Sequence, residues 1–225
     1  LVLFVGASIN GSRRWLSLGP LSFQPSEFAK PAVILFLART ISRRENKKKG
    51  MLELFRTLVL ILPIVGLVGT SNLSTAVIIL GIAVILVFVS SPFYLPFVGL
   101  FGAGAGFMGI FLGLESYRLE RIAIWRDPES YEKGFQTIQG LYAIGSGGLF
   151  GTGLGGSIQK LGFVPEAQND MIFSIICEEL GLVGAGILLL LFLMLIWRFF
   201  LVSVHAPDLF GSLIAAGVMG HISIQ

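Results

Sequence analysis

Charge is scarce in this 225-residue chain, where Asp, Glu, Lys and Arg together make up 13% of the residues. Soluble domains carry about 25%. With 54% of residues in the AVILMFWYC set and a mean hydropathy of +0.85, an ordinary soluble domain is excluded, and disorder with it. Cysteine is nearly absent. Cys177 is the only one, so the chain can form no internal disulfide, and a thiol within an apolar stretch reads as a small helix-packing residue. The two histidines, His205 and His221, have no ligand-spaced partner, and no metal-ligand set is assigned. Sixteen basic residues against 13 acidic give +3, too weak and too unevenly spread for a nucleic-acid partner. The segment from Leu1 to Ile9 has no basic lead and no small-residue cleavage site, so it is not a signal peptide. Apolar runs reach both ends, which read as cut mid-helix, and the chain is expected to be an internal piece of a larger polytopic protein.

What is present in quantity is membrane-compatible sequence. No charged residue occurs from Thr57 to Leu114, a length suited to three crossings at about 20 residues each. Turn formers at Gly69 to Asn72 and at Ser90-Ser91-Pro92 divide it into spans near 53–70, 72–90 and 93–114. Another span covers Phe28 to Ile41 with its flanks, the longest runs from Met171 to Trp197, and a further one begins near Leu209. The expected fold is therefore all-α, a polytopic transmembrane helix bundle forming one membrane domain over 1–225. Arg43, Arg44, Lys47, Lys48 and Lys49 crowd the loop 42–52, which the bias of basic residues toward the cytoplasm places inside. Counting crossings from there puts the loop 10–27 and the large loop 115–170 on the outer face.

Those outward segments hold most of the remaining ionisable groups. Between Glu115 and Lys133 mixed charges alternate with Tyr117, Trp125 and Tyr131, a pattern that suits an amphipathic interfacial helix. Gly151, Gly153 and Gly156 satisfy G-x-G-x-x-G, but a dinucleotide site needs a preceding strand within a βαβ unit, which is missing, and no GK[ST] is present. A tight turn that brings backbone close to a ligand or another helix is the better use. Asp170 precedes the longest apolar run. That is a preferred helix-capping position, worth about 1 kcal/mol, and the ionised state it favours is also what a general base needs. Spacing alone ranks capping first. Glu27 and Lys30 share a helix face three residues apart, near an interface where Lys can snorkel. Glu178 and Glu179, two turns into the long helix, are costlier at membrane depth, unless Arg or Lys from a neighbour satisfies them.

Specific strings add a resemblance. Gly11-Ser12-Arg13-Arg14-Trp15 is followed by Phe23-Gln24-Pro25-Ser26-Glu27-Phe28-Ala29-Lys30 and Asn72-Leu73-Ser74-Thr75. Gln136-Thr137-Ile138-Gln139, Ile144-Gly145-Ser146-Gly147-Gly148, Ser157-Ile158-Gln159-Lys160 and Pro165-Glu166-Ala167-Gln168-Asn169-Asp170 come later. In that order and spacing they resemble the SEDS family of FtsW, RodA and SpoVE type, over essentially the whole chain. Two departures are small: Gly156 stands where Asn is frequent, and Asn72 where elongation-type members tend to have Asp, which favours a division or sporulation type.

The resemblance implies a ten-helix protein of the bacterial plasma membrane that polymerises lipid II into glycan strands on the outer face, paired with a class B penicillin-binding transpeptidase. About seven of the expected ten helices would be wholly or partly present. The first two, most of the ninth and the tenth would lie outside this piece, which is expected to be inactive alone. Carried over by position, Asp170 matches the family's essential outer-loop acid and would be the general base. Arg14, Trp15, Glu27, Lys30, Gln139, Ser146 and Lys160 match positions around the outward cavity that binds substrate. Arg14, Lys30 and Lys160 could stabilise charge on the leaving lipid diphosphate, and a divalent cation, Mg or Mn, could share that work. An α-linked donor and a β-linked polymer need one inverting displacement, hence no second, nucleophilic carboxylate. Two other classes fit many spans and Gly-rich helices: a lipid-linked precursor flippase or transporter, or a non-catalytic scaffold for a transpeptidase.

Overall fold

The computed structural model describes residues 7–9, 12–18, 21–43, 56–70, 72–92, 94–99, 101–102, 106, 120, 123–165 and 167–225. The chain divides into two compact units, Leu1–Val98 together with Leu195–Gln225, and Gly99–Met194.

In the first unit, β1 (Ala7–Ile9), β2 (Ser12–Leu18) and β3 (Leu21–Phe23) form an antiparallel sheet in the order β1-β2-β3. Ile9 pairs with Ser12 and Leu18 with Leu21. An apolar run read as a helix end thus closes in a strand. The reason is local: Asn10-Gly11 and Gly19-Pro20 cut the segment into runs too short for a helix, and Asn-Gly is a hairpin signal. Helix α1 (Pro25–Ser42) follows, with Pro25 at a first-turn position that needs no N–H. Lys30, Val33, Ile34, Leu37, Ala38 and Ile41 are its buried residues, one stripe at helical spacing.

The expected span 53–70 is helical in two parts. A turn at Leu60–Ile61 precedes α2 (Leu62–Gly69), which has Pro63 in its first turn. Helix α3 (Leu73–Ser90) begins at Asn72, whose side chain accepts from the Thr75 N–H at 3.1 Å, and ends before Pro92. Both ends fall where the turn formers place them. Of the expected span 93–114, residues 94–99, 101–102 and 106 are described, and all but Tyr94 are helical. Residues 44–55, most of the basic loop, lie outside the described residues. The last helix, α6 (Leu209–Ile224), starts on Asp208, whose Oδ1 accepts from the Gly211 N–H at 3.4 Å.

Helices α1, α3 and α6 pack on one another through Leu37, Ile79, Ile82, Leu86, Leu213 and Ala216. Small residues of α6 set the approach: Gly217 lies against Ile34 and Gly220 against Ile85, where a Cβ would collide. Such close backbone approach is how helices associate without a hydrophobic driving force in lipid.

The second unit contains α4 (Phe135–Gly147) and α5 (Ile172–Val204), the latter running on into the first unit. In its described part, the interfacial helix expected near 115–133 is helical at 120 and 123–126, then gives way to two 3-10 turns, Pro128–Ser130 and Glu132–Gly134. Pro128 has no N–H to continue a helix, and Trp125 is exposed. Residues 107–119 and Lys133's side chain are outside the described set. Among the described residues, α3 and α5 are both long and apolar enough to cross a membrane.

Candidate functional site

The Gly-rich run between α4 and α5 exists to meet a break in α5. At Gly181 the backbone takes φ 68° and ψ −173°, a conformation that is essentially Gly-only, so the helix stops and restarts. A break inside an apolar helix frees carbonyls before it and N–H groups after it, and each must find a partner. The loop supplies partners for two of each. The carbonyls of Glu178 and Glu179 accept from the N–H groups of Thr152 and Gly153 at 2.9 and 3.0 Å. The N–H groups of Leu182 and Val183 donate to the carbonyls of Gly148 and Leu149 at 2.9 and 3.1 Å. Cβ atoms would not fit: one on Gly151 would strike the Glu179 carbonyl, and one on Gly147 the Cys177 carbonyl. The run thus brings backbone against a helix, as its composition suggested, and Cys177 is a buried packing residue.

From this frame hangs the turn 157–160. Glu178 is 3% exposed and Ser157 2%. The Ser157 hydroxyl donates to Glu178 Oε2, and Glu178 Oε1 accepts from the N–H of Ile158 at 3.1 Å and, longer, of Gln159 at 3.5 Å. The same hydroxyl oxygen accepts from the Lys160 N–H at 3.1 Å, as a helix-capping Ser does. Glu179 Oε1 takes the Lys160 ammonium at 2.6 Å and the Ser157 N–H at 3.4 Å. Glu179 is thus met by a Lys, as expected of one such acid. Glu178 is held by a hydroxyl and backbone N–H groups instead.

Asp170 stands ten residues beyond Lys160, exposed, and makes no hydrogen bond or ion pair with a described residue. The capping role first ranked for it is not taken. Met171 occupies that position, its carbonyl accepting from Ser174 and Ile175 N–H groups, while Asn169's carbonyl accepts from Ile172. Among the described residues nothing bonds the carboxylate. On α4, Gln139 is half-buried, and the exposed Ser146 returns its hydroxyl to the Ala143 carbonyl at 3.0 Å. The start of α5 meets α4 at Gly140, where Met171 and Ser174 close in.

In the first unit Lys30 does not snorkel. At 2% exposure its ammonium meets Glu27 Oε2 at 2.7 Å and Gln225 Oε1 at 3.0 Å. Arg14 and Trp15 lie on β2, Trp15 paired with Ala7; their side chains are outside the described set. The structure therefore pairs Glu27 with Lys30 in one unit, and in the other sets Lys160 on an anchored turn with Asp170 farther along the same segment. Ser157 is the residue whose role sequence reasoning missed. Its signal was a small polar residue three positions before a Lys, with an acid pair downstream that needed donors.

The whole chain, residues 1–225, matches the model of a family described as cell cycle protein, of FtsW, RodA and SpoVE type. The chain is 41% identical to stage V sporulation protein E of Bacillus subtilis (strain 168), over 100% of this chain and 63% of that one. It is 37% identical to a probable peptidoglycan glycosyltransferase FtsW of Thioalkalivibrio sulfidiphilus, over 100% and 58%. Among solved structures, one of a peptidoglycan synthase complex that coordinates polymerization and crosslinking is similar with a TM-score of 0.75 and 33% identity, over 98% of this chain and 62% of that one. The rod shape determining protein RodA of Thermus thermophilus is similar with a TM-score of 0.63 and 30% identity, over 98% and 57%. The chain thus spans less than two thirds of these relatives and belongs to the FtsW/RodA/SpoVE family of polytopic membrane proteins.

Proposed function

We propose that the full-length protein is a peptidoglycan glycosyltransferase of the bacterial plasma membrane that polymerises lipid II on the outer face, in division, elongation or sporulation. The observation that carries this is the family match over all 225 residues, with relatives named as glycosyltransferases. Asp170 acts as general base on the acceptor sugar hydroxyl. Its exposure, with no partner among the described residues, suits a group that must receive a proton from a bound substrate. Lys160, with Arg14 and Lys30, answers the charge that develops on the donor's diphosphate. Trp15, Glu27, Gln139 and Ser146 complete the substrate-binding set.

A divalent cation arriving on the diphosphate would need only one or two protein carboxylates and would add charge stabilisation there. Among the described residues no three His, Cys, Asp or Glu gather as an all-protein cage. The partner is a class B penicillin-binding transpeptidase, a reading supported by similarity to a synthase complex that couples polymerization to crosslinking.

The test is full-length protein with its transpeptidase in liposomes carrying lipid II. The proposal expects glycan polymer to accumulate. Movement of lipid II between leaflets without polymer would replace the enzyme by a flippase. Neither polymer nor movement, with the transpeptidase still recruited, would leave a scaffold.

A further inference from the structure

Glu178 is a buried acid that the polymerase reading does not use. It lies in an apolar helix and has no described cation beside it, since the Lys160 ammonium goes to Glu179. A carboxylate at 3% exposure is expensive in so apolar a setting unless its oxygens are satisfied. Here they are, and every donor belongs to one turn: the Ser157 hydroxyl and the N–H groups of Ile158 and Gln159. Ser157 passes the constraint on, because its oxygen also accepts from the Lys160 N–H. The acid therefore fixes the backbone from which Lys160 projects. Lys160 itself is a third exposed, at 33%, and its partner Glu179 is at 15%. Its backbone is anchored in a buried site while its ammonium reaches the surface.

We infer that Glu178 is a positioning residue, which holds the Lys160 turn so that the ammonium can exchange Glu179 for an anionic substrate group without the backbone moving. The inference rests on the polymerase reading, in which that group is the donor's diphosphate. Glu179 keeps Lys160 oriented when the site is empty, and Glu178 keeps the turn in place when Lys160 lets go. Preplaced charge of this kind lowers the barrier because no reorganisation is needed at the moment of reaction.

The experiment uses full-length protein with its transpeptidase and purified lipid II. Glu178→Gln keeps the size of the side chain but replaces one acceptor oxygen with a donor amide, so the side chain can no longer accept from both the Ser157 hydroxyl and the N–H groups of Ile158 and Gln159. It is expected to lower kcat about tenfold to a hundredfold, the scale of a small misplacement, with KM within about twofold. On a Lys160→Gln background the same change should cost nothing further, because the residue it positions is gone. Ser157→Ala should behave like Glu178→Gln, and Ser157→Thr, which keeps the hydroxyl, should retain activity. Should Lys160→Gln leave no measurable rate, maleimide labelling of Lys160→Cys, in a background with Cys177→Ala and any other cysteine of the full-length protein replaced, stands in for the double variant. Glu178→Gln should then raise the labelling rate several-fold.

Unchanged kcat in both Glu178→Gln and Ser157→Ala overturns the inference. So do losses that multiply with Lys160→Gln, or labelling that does not change. If Glu178→Gln fails to fold, the two Ser157 variants decide alone. A wild type that makes no polymer, or an Asp170→Asn variant that makes it normally, strikes the polymerase reading instead, so the two failures are distinguishable.

Discussion

Lys30 lies at 2% exposure with two oxygens against its ammonium, one from Glu27 and one from Gln225. Glu27 is 49% exposed and can return to water if its partner is removed. Lys30 cannot. The pair should therefore respond asymmetrically, since the larger cost falls on the partner left buried. Glu27→Ala is expected to lower the melting temperature of the detergent-solubilised protein more than Lys30→Met, which keeps the volume and removes the charge. The reverse order would mean that Gln225 alone satisfies the ammonium. That Glu27 and Lys30 share a face was legible from their spacing, yet the burial of Lys30 was not, because Gln225 is 195 positions away. Glu178 was legible as an anomaly for the same reason that its solution was hidden: Ser157 lies 21 residues upstream, and the path between them depends on how the Gly-rich loop turns.

At the scale of elements, the break in α5 is fixed by two glycines whose backbones touch. A Cβ on Gly181 would strike Gly151's nitrogen and Leu149's carbonyl, and Gly181 is held at φ 68°. Gly181→Ala and Gly151→Ala should each lower the melting temperature markedly, whereas Gly186→Ala, in open helical space, should hold or raise it by up to about 1 kcal/mol of stability. Equal tolerance at all three would show that the break is not required. At the other end of the scale, Asn72→Ala removes one capping bond of α3 and should cost about 1 kcal/mol, read by the same thermal melt. Helix boundaries near Asn72, Pro92 and Leu209 were legible because turn formers and the edges of apolar runs are local. The break at Gly181 was not, since a lone Gly in an apolar run is compatible with an unbroken helix until a loop arrives to bond its freed groups. The hairpin signal at Asn10-Gly11 was local too, but the apolar run before it pointed to a helix.

For the whole molecule, charge counting carries the topology. The expected three crossings rest on a charge-free run between a basic loop and a mixed-charge segment; α3 within that run, and α5 beyond it, have the length and hydropathy to cross a membrane. The side chains of α5 from Leu189 to Leu195 are exposed around the helix, which suits a lipid environment. Cys177 is the one thiol of these 225 residues, so Cys177→Ala, with any cysteine of the full-length protein also replaced, gives a clean background for mapping sides. Leu161→Cys, at an exposed position, should react with a membrane-impermeant maleimide added to intact cells, and Lys48→Cys should react only after the membrane is opened. Reaction of both from outside would invalidate the crossing count and remove the outer-face site with it.

The central claim is that Asp170 takes the acceptor proton. Its most direct test is the initial rate of glycan-strand growth from lipid II by the full-length protein with its transpeptidase, wild type against Asp170→Asn, with folding checked by thermal melt. Loss of a general base should slow growth by about 10² to 10⁴ at unchanged stability. Strand growth at the wild-type rate in a folded Asp170→Asn protein would contradict the account.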